Sequence, residues 1–266
     1  MLRVLYAFLS VSGLGIVLGI GLAFAAKKLH VIKDERIETV EGFLPGLNCG
    51  ACGYAGCSAY AEAIVKEDAE LGLCTPGGPA TATEISEYMG VEFSGLAEKQ
   101  VTQVICRGGE KTSKYAYEYT GVADCNALYA LFGGNKVCKF GCLALGSCIK
   151  VCPVDAIDYD KEGLVWVDKE VCISCGKCIP VCPTGVMQWL PYDVDYYVAC
   201  NSTDKGGRVR KYCTVGCTGC KICEKKSPDS GYKVENFLSR IDYQVKGDRT
   251  AGAEACPPKC IINNEP

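Results

Sequence analysis

The chain has 266 residues, with 28 Lys and Arg against 31 Asp and Glu for a formal charge of −3, and it contains 21 Cys but a single His. One His argues against His-rich metal sites and His-based catalysis, and the balanced charge gives no electrostatic case for nucleic-acid binding. Ordinary hydrophobic cores do not need Cys at a density close to that of disulfide scaffolds. The cysteines therefore need a functional explanation.

The first predicted element is an uncharged stretch from Val4 to Ala26. As a helix it is long enough to cross about 30 Å of hydrocarbon. By the positive-inside rule, more cationic residues after it than before it place the rest of the chain in the cytoplasm, with the N-terminus outside. The cation before it is Arg3, and those after it are Lys27, Lys28, Lys33 and Arg36. A cleaved signal peptide is the alternative, because residues 23–25 fit a small-x-small cleavage site.

In the reducing cytoplasm, clustered Cys indicates metal ligation or redox chemistry rather than disulfides. The first group follows a charged linker and consists of Cys49, Cys52, Cys57 and Cys74. Four thiolates at this spacing can close around one [4Fe–4S] cluster, and the glycines between them free backbone N–H groups to stabilise it. A four-cysteine zinc site is the alternative. Residues 58–68 have the pattern of a short helix.

The strongest motif is a C-x2-C-x2-C-x3-C-P run at residues 172–183, the ligand pattern of bacterial ferredoxins. A run with wider spacing precedes it at residues 138–153. In ferredoxins the fourth cysteine of each run binds the cluster of the other run. Crosswise pairing predicts two [4Fe–4S] clusters, one on Cys138, Cys142, Cys148 and Cys182 and the other on Cys152, Cys172, Cys175 and Cys178. Residues 156–160 and 164–168 flank a turn and predict a β-hairpin.

This unit recurs, at an offset of 75 residues at first and of 74 later. One ligand set is kept, because Cys142, Cys148 and Cys182 align with Cys217, Cys223 and Cys256. The other set is lost entirely, since its four positions are occupied by Ser227, Lys246, Arg249 and Gly252. Cys220 completes a C-x2-C-x2-C run, so the ferredoxin rule assigns one cluster to Cys217, Cys220, Cys223 and Cys256.

The remaining cysteines allow a fifth set. Cys213 is freed by the assignment of Cys220, Cys106 and Cys200 each follow an apolar stretch, and Cys125 stands alone. A fifth set of Cys106, Cys125, Cys200 and Cys213 would leave only Cys260 unassigned among the 21 cysteines. A structural role for some of these thiols is the alternative.

The sequence thus predicts an α+β fold with at least four [4Fe–4S] clusters. Its segments are a transmembrane anchor (1–26), a linker (27–42), a four-Cys [4Fe–4S] module (43–80), a connecting segment (81–132), a 2[4Fe–4S] ferredoxin-like domain (133–192) and a second, degenerate ferredoxin-like domain (193–266). No Gly-x-Gly-x-x-Gly follows a predicted strand, and the only His, His30, lies in the linker. We therefore expect no catalytic acid–base residue and no hydride-transfer site.

The order of these elements resembles the B subunit of the Rnf complex, and the resemblance covers nearly the whole chain. It implies an electron-transfer subunit of an ion-translocating ferredoxin:NAD oxidoreductase, which couples ferredoxin oxidation and NAD reduction to sodium or proton transport. The implied partners are reduced ferredoxin, the other membrane and soluble subunits of the complex, and the cytoplasmic membrane. The chain departs from longer relatives in losing the cluster around Lys246, Arg249 and Gly252. A polyferredoxin subunit of another membrane hydrogenase or dehydrogenase and a zinc-rich scaffold are the alternatives.

Overall fold

The computed structural model describes residues 2–28, 34–93 and 99–264. Its helices are α1 (Leu2–Lys28), α2 (Glu35–Phe43), α3 (Cys57–Val65), α4 (Gly78–Met89), α5 (Cys125–Ala130), α6 (Ser147–Lys150), α7 (Gly206–Tyr212), α8 (Ile222–Lys226) and α9 (Thr250–Glu254). Its strands are β1 (Gln100–Val104), β2 (Ile157–Tyr159), β3 (Val165–Val167), β4 (Met187–Pro191), β5 (Tyr196–Val198), β6 (Tyr232–Glu235), β7 (Leu238–Ile241) and β8 (Ile261–Asn263). The linker residues His30 and Lys33 lie outside the described residues.

The uncharged N-terminal segment forms α1, whose last turn carries Lys27 and Lys28. Within the described residues, no helix is both long enough and apolar enough to cross a membrane. The membrane anchor and the single-pass topology therefore stay predictions from the sequence.

Helices α2, α3 and α4 form a small N-terminal module around one core. Val40 of α2, Tyr60 and Ile64 of α3, and Ile85 of α4 are buried against each other. The helix predicted for residues 58–68 is confirmed over most of its length as α3. This core supports the two loops that carry the cysteines of the module.

The first ferredoxin-like half, which runs from β1 to β4, contains two antiparallel strand pairs. Strand β1 pairs with β4, with Val104 opposite Met187, and β2 pairs with β3, with Ile157 opposite Val167. The second pair is the β-hairpin predicted from the sequence. The apolar residues of these strands share one core with cysteines, namely Cys142, Cys148 and Cys178.

The second half, which runs from β5 to β8, repeats this arrangement. In it, β5 pairs with β8 and β6 pairs with β7. Val198 lies opposite Ile261. Since the repeat offset of 74 residues places Ile261 on Met187, Val198 corresponds to Val104 of the first half. The strand that precedes each repeat is therefore part of the repeated unit.

Residues 112–114 join the two halves by backbone hydrogen bonds. The Lys114 N–H donates to the Tyr212 carbonyl at 2.8 Å, and the Thr214 N–H donates to the Thr112 carbonyl at 2.9 Å. Between these bonds, Ser113 forms a β-bridge with Cys213. The connecting segment thus places the end of α7 beside the first half.

Candidate metal centres

The N-terminal module brings its four cysteines together. Burial raises the pKa of the Cys74 thiol, and the thiolates of the other three members, Cys57, Cys49 and Cys52, raise it further. The buried Tyr60 holds the loop before Cys74, because its hydroxyl donates to the Glu70 carbonyl at 2.9 Å and accepts the Leu73 N–H at 3.2 Å. The predicted members of this set are therefore neighbours in the fold.

One cavity of the first half has the ligand set that the ferredoxin rule predicts. Its volume is about 290 Å³, and its four cysteines are Cys152, Cys172, Cys175 and Cys178. Ile157 and Ile173 form part of its apolar wall. The Thr102 hydroxyl lies 3.4 Å from Cys178 Sγ.

The second cavity of the first half has a set of cysteines that differs from the predicted one. It has a volume of about 350 Å³ and is lined by Cys125, Cys142, Cys148 and Cys182. The spacing rule predicts Cys138 here, and Cys125 takes its place. The reason is a chain of hydrogen bonds at the start of α5: the Cys125 N–H donates to Ser147 Oγ at 2.8 Å, and that hydroxyl donates to the Asp124 carboxylate at 3.0 Å. Ser147 precedes Cys148, so these bonds hold Cys125 beside that ligand.

Cys138 instead lines a cavity between the two halves. The volume of this cavity is about 390 Å³, and its four cysteines are Cys106, Cys138, Cys200 and Cys213. Three of them belong to the fifth set predicted from the sequence, and Cys138 replaces Cys125 as the fourth. The Val137 N–H donates to the Lys114 carbonyl at 2.9 Å, which ties the segment before Cys138 to the strip that joins the halves.

The second half has one cysteine-lined cavity among the described residues, with a volume of about 300 Å³. It contains the predicted set, Cys217, Cys220, Cys223 and Cys256, together with Cys260. Cys220 lies here and Cys213 does not, which is the division that the spacing rule predicts.

Spacing alone predicts no role for Cys260, yet this thiol is 1% exposed and its Sγ lies 3.6 Å from Cys256 Sγ. A hydrogen bond from Cys260 lowers the pKa of Cys217 to about 6 and that of Cys256 to about 7. In the sequence, the only indication of a role for Cys260 is that it lies 74 residues after Val186, the equivalent position of the first half, and Val186 lines a cavity there.

The sets suit a cubane in which each iron takes one thiolate. Within the described ranges, no three Cys, His, Asp or Glu side chains lie close enough to hold a single metal ion. In three of the sets, the backbone N–H two residues after a cysteine donates to that cysteine; the three cysteines are Cys142, Cys175 and Cys217. At Cys142 and Cys175 this bond lowers the pKa, but burial raises it by more. At Cys217 the bond adds to the lowering of the pKa that Cys260 causes. Such bonds stabilise an anionic cluster.

Two family models match the cysteine-rich segments. The FeS model for an Fe-S cluster matches residues 44–76, and the 4Fe-4S dicluster domain matches residues 138–186. The first match covers the cysteines of the N-terminal module, and the second covers both cysteine runs of the first half. These matches confirm iron–sulfur domains in a mixed α and β chain.

Whole-chain relatives decide the family. The chain is 39% identical over 250 residues to the B subunit of an ion-translocating oxidoreductase complex from Methanosarcina acetivorans, an alignment that covers 94% of each protein. It is 40% identical to the B subunit of the Na⁺-translocating ferredoxin:NAD⁺ oxidoreductase complex of Acetobacterium woodii, over 93% of this chain and 74% of that protein. It is 39% identical to the proton-translocating counterpart of Clostridium ljungdahlii, over 93% of this chain and 86% of that protein.

The chain belongs to the B-subunit family of ion-translocating oxidoreductase complexes. This confirms the resemblance to the Rnf complex. As a member of the family, the chain is an iron–sulfur electron-transfer subunit.

In this member of the family, side chains fill the space of the ligand set lost from the second half. Tyr232 corresponds to Ile157, and a Cβ added at Gly252 would lie 2.7 Å from its ring. The Gly252 N–H donates to Ser227 Oγ at 3.0 Å. Two of the four former ligand positions therefore pack directly against each other.

Arg249, a third former ligand position, is buried in the same region. Its guanidinium donates to the carbonyls of Ser230 and Val245 at 3.0 and 2.7 Å, and it pairs with the Asp195 carboxylate at 2.7 Å. The fourth position, Lys246, is exposed. Hydrogen bonds and an aromatic ring have taken over the volume and the cross-links of a cluster.

The N-terminal module adjoins the first half. Cys74 and Phe93 line one side of a cavity whose other side includes Trp189. Burial raises the pKa of Cys175, and the Cys49 thiolate of the module raises it further. The two sets are therefore close enough for their charges to interact.

The other sets also adjoin in series. Burial raises the pKa of Cys148 to about 12, and Cys178 of the neighbouring set contributes to the rise. Burial likewise raises the pKa of Cys142 to about 12, with a contribution from Cys106. At Cys200 burial also raises the pKa to about 12, and the Cys217 thiolate adds to it. The series runs from the N-terminal module, through the two sets of the first half and the set at the junction, to the set of the second half.

Proposed function

We propose that this chain is a membrane-anchored electron relay that accepts single electrons from reduced ferredoxin. It passes them through its [4Fe–4S] clusters to the other subunits of an ion-translocating ferredoxin:NAD oxidoreductase. The relatives named for this activity in Acetobacterium woodii and Clostridium ljungdahlii support the assignment.

The observation that carries the proposal is that each cysteine set lies near the next one. Electrons pass between clusters only over short distances, so a relay needs clusters that adjoin one another. The thiols of each set act on the pKa of a thiol in the next set, which supports such an order. Three sets follow the spacing of known cluster ligands: Cys49, Cys52, Cys57 and Cys74; Cys152, Cys172, Cys175 and Cys178; and Cys217, Cys220, Cys223 and Cys256. The members of a fourth set, Cys125, Cys142, Cys148 and Cys182, line one cavity.

When bound, a [4Fe–4S] cluster supplies one-electron transfer. The chain supplies the ligands, the N–H donors to sulfur, and walls that exclude water. Buried apolar residues such as Val186 and Val165 form such walls beside the cysteines. Exclusion of water and hydrogen bonds to sulfur are two of the means by which a protein sets the potential of a cluster.

Anchoring to the membrane is part of the proposal. It is supported by the charge-free stretch from Val4 to Ala26, by its helical conformation in α1, and by exposed apolar side chains on that helix, among them Leu14, Ile16 and Phe24. A reporter fused after Pro266 should be active on the cytoplasmic side. Activity of the fusion on the outer side would contradict this orientation.

The test of electron acceptance uses the full-length protein purified without oxygen. After stopped-flow mixing with reduced low-potential ferredoxin, we expect bleaching of the iron–sulfur absorbance, and we expect no NADH when NAD is added. Acceptance should weaken at high salt if charged surfaces guide the acidic donor, because screening shortens their reach to about 8 Å at physiological ionic strength.

Two results would contradict the proposal. If intact clusters do not bleach, ferredoxin does not donate to this protein. If the chain alone sustains NADH production, it contains a hydride-transfer site, and the division of labour within the complex is wrong.

A further inference from the structure

The cavity at the junction of the two halves is built symmetrically. Cys106 lies two residues after Val104, and Cys200 lies two residues after Val198, which holds the same place in the second half. The residue before each of these cysteines also makes an equivalent backbone hydrogen bond. The Ile105 N–H donates to the Val186 carbonyl, and the Ala199 N–H donates to the Cys260 carbonyl. Cys106 and Cys200 are therefore equivalent positions.

The other two cysteines of this cavity are equivalent too. The repeat offset of 75 residues aligns Cys138 with Cys213. Each half thus contributes the same two positions, and the four thiols form two pairs of equivalent residues of the repeat. Four unrelated structural thiols have no reason to show this equivalence.

Backbone donors to sulfur are also repeated at this cavity. The Gly108 N–H donates to Cys106 Sγ at 3.4 Å. The backbone N–H two residues later also donates to each of Cys138, Cys200 and Cys213. The same donor pattern is found at Cys142, Cys175 and Cys217 in three of the other sets.

A buried cation points to an anion in this cavity. Lys136 is 1% exposed and lines the cavity, and its amine donates to the carbonyls of Gly108 and Cys142. In the described part of the chain it has no carboxylate partner within 4.0 Å. An uncompensated buried charge is strongly unfavourable. A cluster held by four thiolates carries negative charge, and Lys136 would be part of the wall around it.

The cavity also has the size and the walls of the other sites. At about 390 Å³ it is no smaller than the three other cysteine-lined cavities, which measure about 290, 300 and 350 Å³. Its wall includes Ala199, Val209 and Phe140, and the first two are buried.

We propose that Cys106, Cys138, Cys200 and Cys213 hold a further [4Fe–4S] cluster at the junction of the two halves. Its role, which rests on the proposed function, is to carry electrons between the last cluster of the first half and the cluster of the second half. Cys106 adjoins Cys142 on one side, and Cys200 adjoins Cys217 on the other.

The test counts iron and acid-labile sulfide in the full-length protein purified without oxygen. Cys106→Ala and Cys200→Ala should each lose about four irons and about four sulfides per chain. The double variant Cys106→Ala with Cys200→Ala should lose no more than either single variant, because both thiols serve one cluster. Cys106→Ala combined with Cys125→Ala should lose about eight irons, because those thiols serve different clusters.

The proposal is overturned if iron is unchanged in both single variants, or if zinc rather than iron is released. It is also overturned if the losses add for Cys106 with Cys200 but not for Cys106 with Cys125. A variant that does not fold is recognised by loss of the EPR signals of all clusters. In that case Cys106→Asp keeps an anionic ligand and should alter the EPR spectrum of one cluster only, and an unaltered spectrum contradicts the proposal. None of these measurements depends on ferredoxin, so the site and the proposed function can fail separately.

Discussion

The two halves show what a cluster does for a fold and what can replace it. The first half has two cysteine sets of its own beside the hairpin of β2 and β3, and the second half has one beside the hairpin of β6 and β7. Both halves keep the same strand pairs. Loss of a ligand set was compatible with the fold because an aromatic ring and an arginine occupy the space between the same elements.

The difference also concerns the means of cross-linking. In the first half, Cys152 lies before the hairpin, and the other three members of its set lie after it. In the second half, a hydrogen bond between Ser227 and Gly252 connects the same two segments, and Arg249 connects a third segment through its ion pair with Asp195. The proposed cluster site of the first half thus corresponds to a hydrogen-bonded region of the second half.

The largest expected effect compares equivalent positions of the two halves. Cys152→Ala should lose about four irons, whereas Ser227→Ala should lose none, because only the first is a proposed ligand. The measurement is iron and sulfide per chain after anaerobic purification. Equal iron loss in both variants would show that the second half still holds the cluster that its sequence lacks.

Removal of the buried arginine should have the next largest effect. Arg249→Leu leaves the Ser230 and Val245 carbonyls without this donor, and it should reduce the local free energy of unfolding by about 3 kcal/mol. Amide hydrogen exchange in β6 should then be faster by about a hundredfold. The control is Lys246→Ala, an exposed position of the same lost set, which should change exchange little.

A smaller effect is expected at Gly252, where a Cβ would meet the Tyr232 ring at 2.7 Å and the Cys223 carbonyl at 3.1 Å. Gly252→Ala should destabilise the second half by about 1 to 2 kcal/mol through overpacking. Gly207→Ala is the matched control, since a Cβ there meets nothing within 4 Å in α7 and alanine favours the helix. If Gly252→Ala is as neutral as the control, the lost site is not tightly filled.

The smallest effect concerns the extra thiol of the second half. Cys260→Val recreates the residue found at Val186 of the first half, and iron content should stay unchanged. The midpoint potential of one cluster should become more negative, because a donor to the sulfurs of Cys217 and Cys256 is lost and such donors favour the reduced cluster. A redox titration followed by EPR measures this. Loss of iron in this variant would instead identify Cys260 as a ligand.

Much of this comparison could be predicted from the sequence, because cluster ligands follow strict spacing. The sequence alone predicts the run that ends at Cys182 and the hairpin after Cys152. It also shows that a complete ligand set is replaced in the second half. The set of Cys217, Cys220, Cys223 and Cys256 was predicted on the same basis, and these residues line one cavity.

The exchange of Cys125 and Cys138 could not be predicted in this way. The first run has wider spacing than the ferredoxin rule, so spacing no longer decides which cysteine faces which cavity. Side-chain bonds decide it, through Ser147 beside Cys125 and through the buried amine of Lys136 before Cys138. The equivalence of Cys106 and Cys200 was hidden for another reason, since the connecting segment changes the offset there and only strand pairing reveals it.

The junction cavity has a consequence for biosynthesis. Its thiols come from chain segments far apart in sequence, and Cys213 leaves the ribosome long after Cys106. Closing so long a loop costs conformational entropy that grows slowly with length, but contacts between distant residues form late in folding. The N-terminal module and the first half can therefore complete their own sites while synthesis continues. The junction has to wait for the segment that carries Cys200 and Cys213, so it is completed after the sites of the first half, and the set that needs Cys256 follows it.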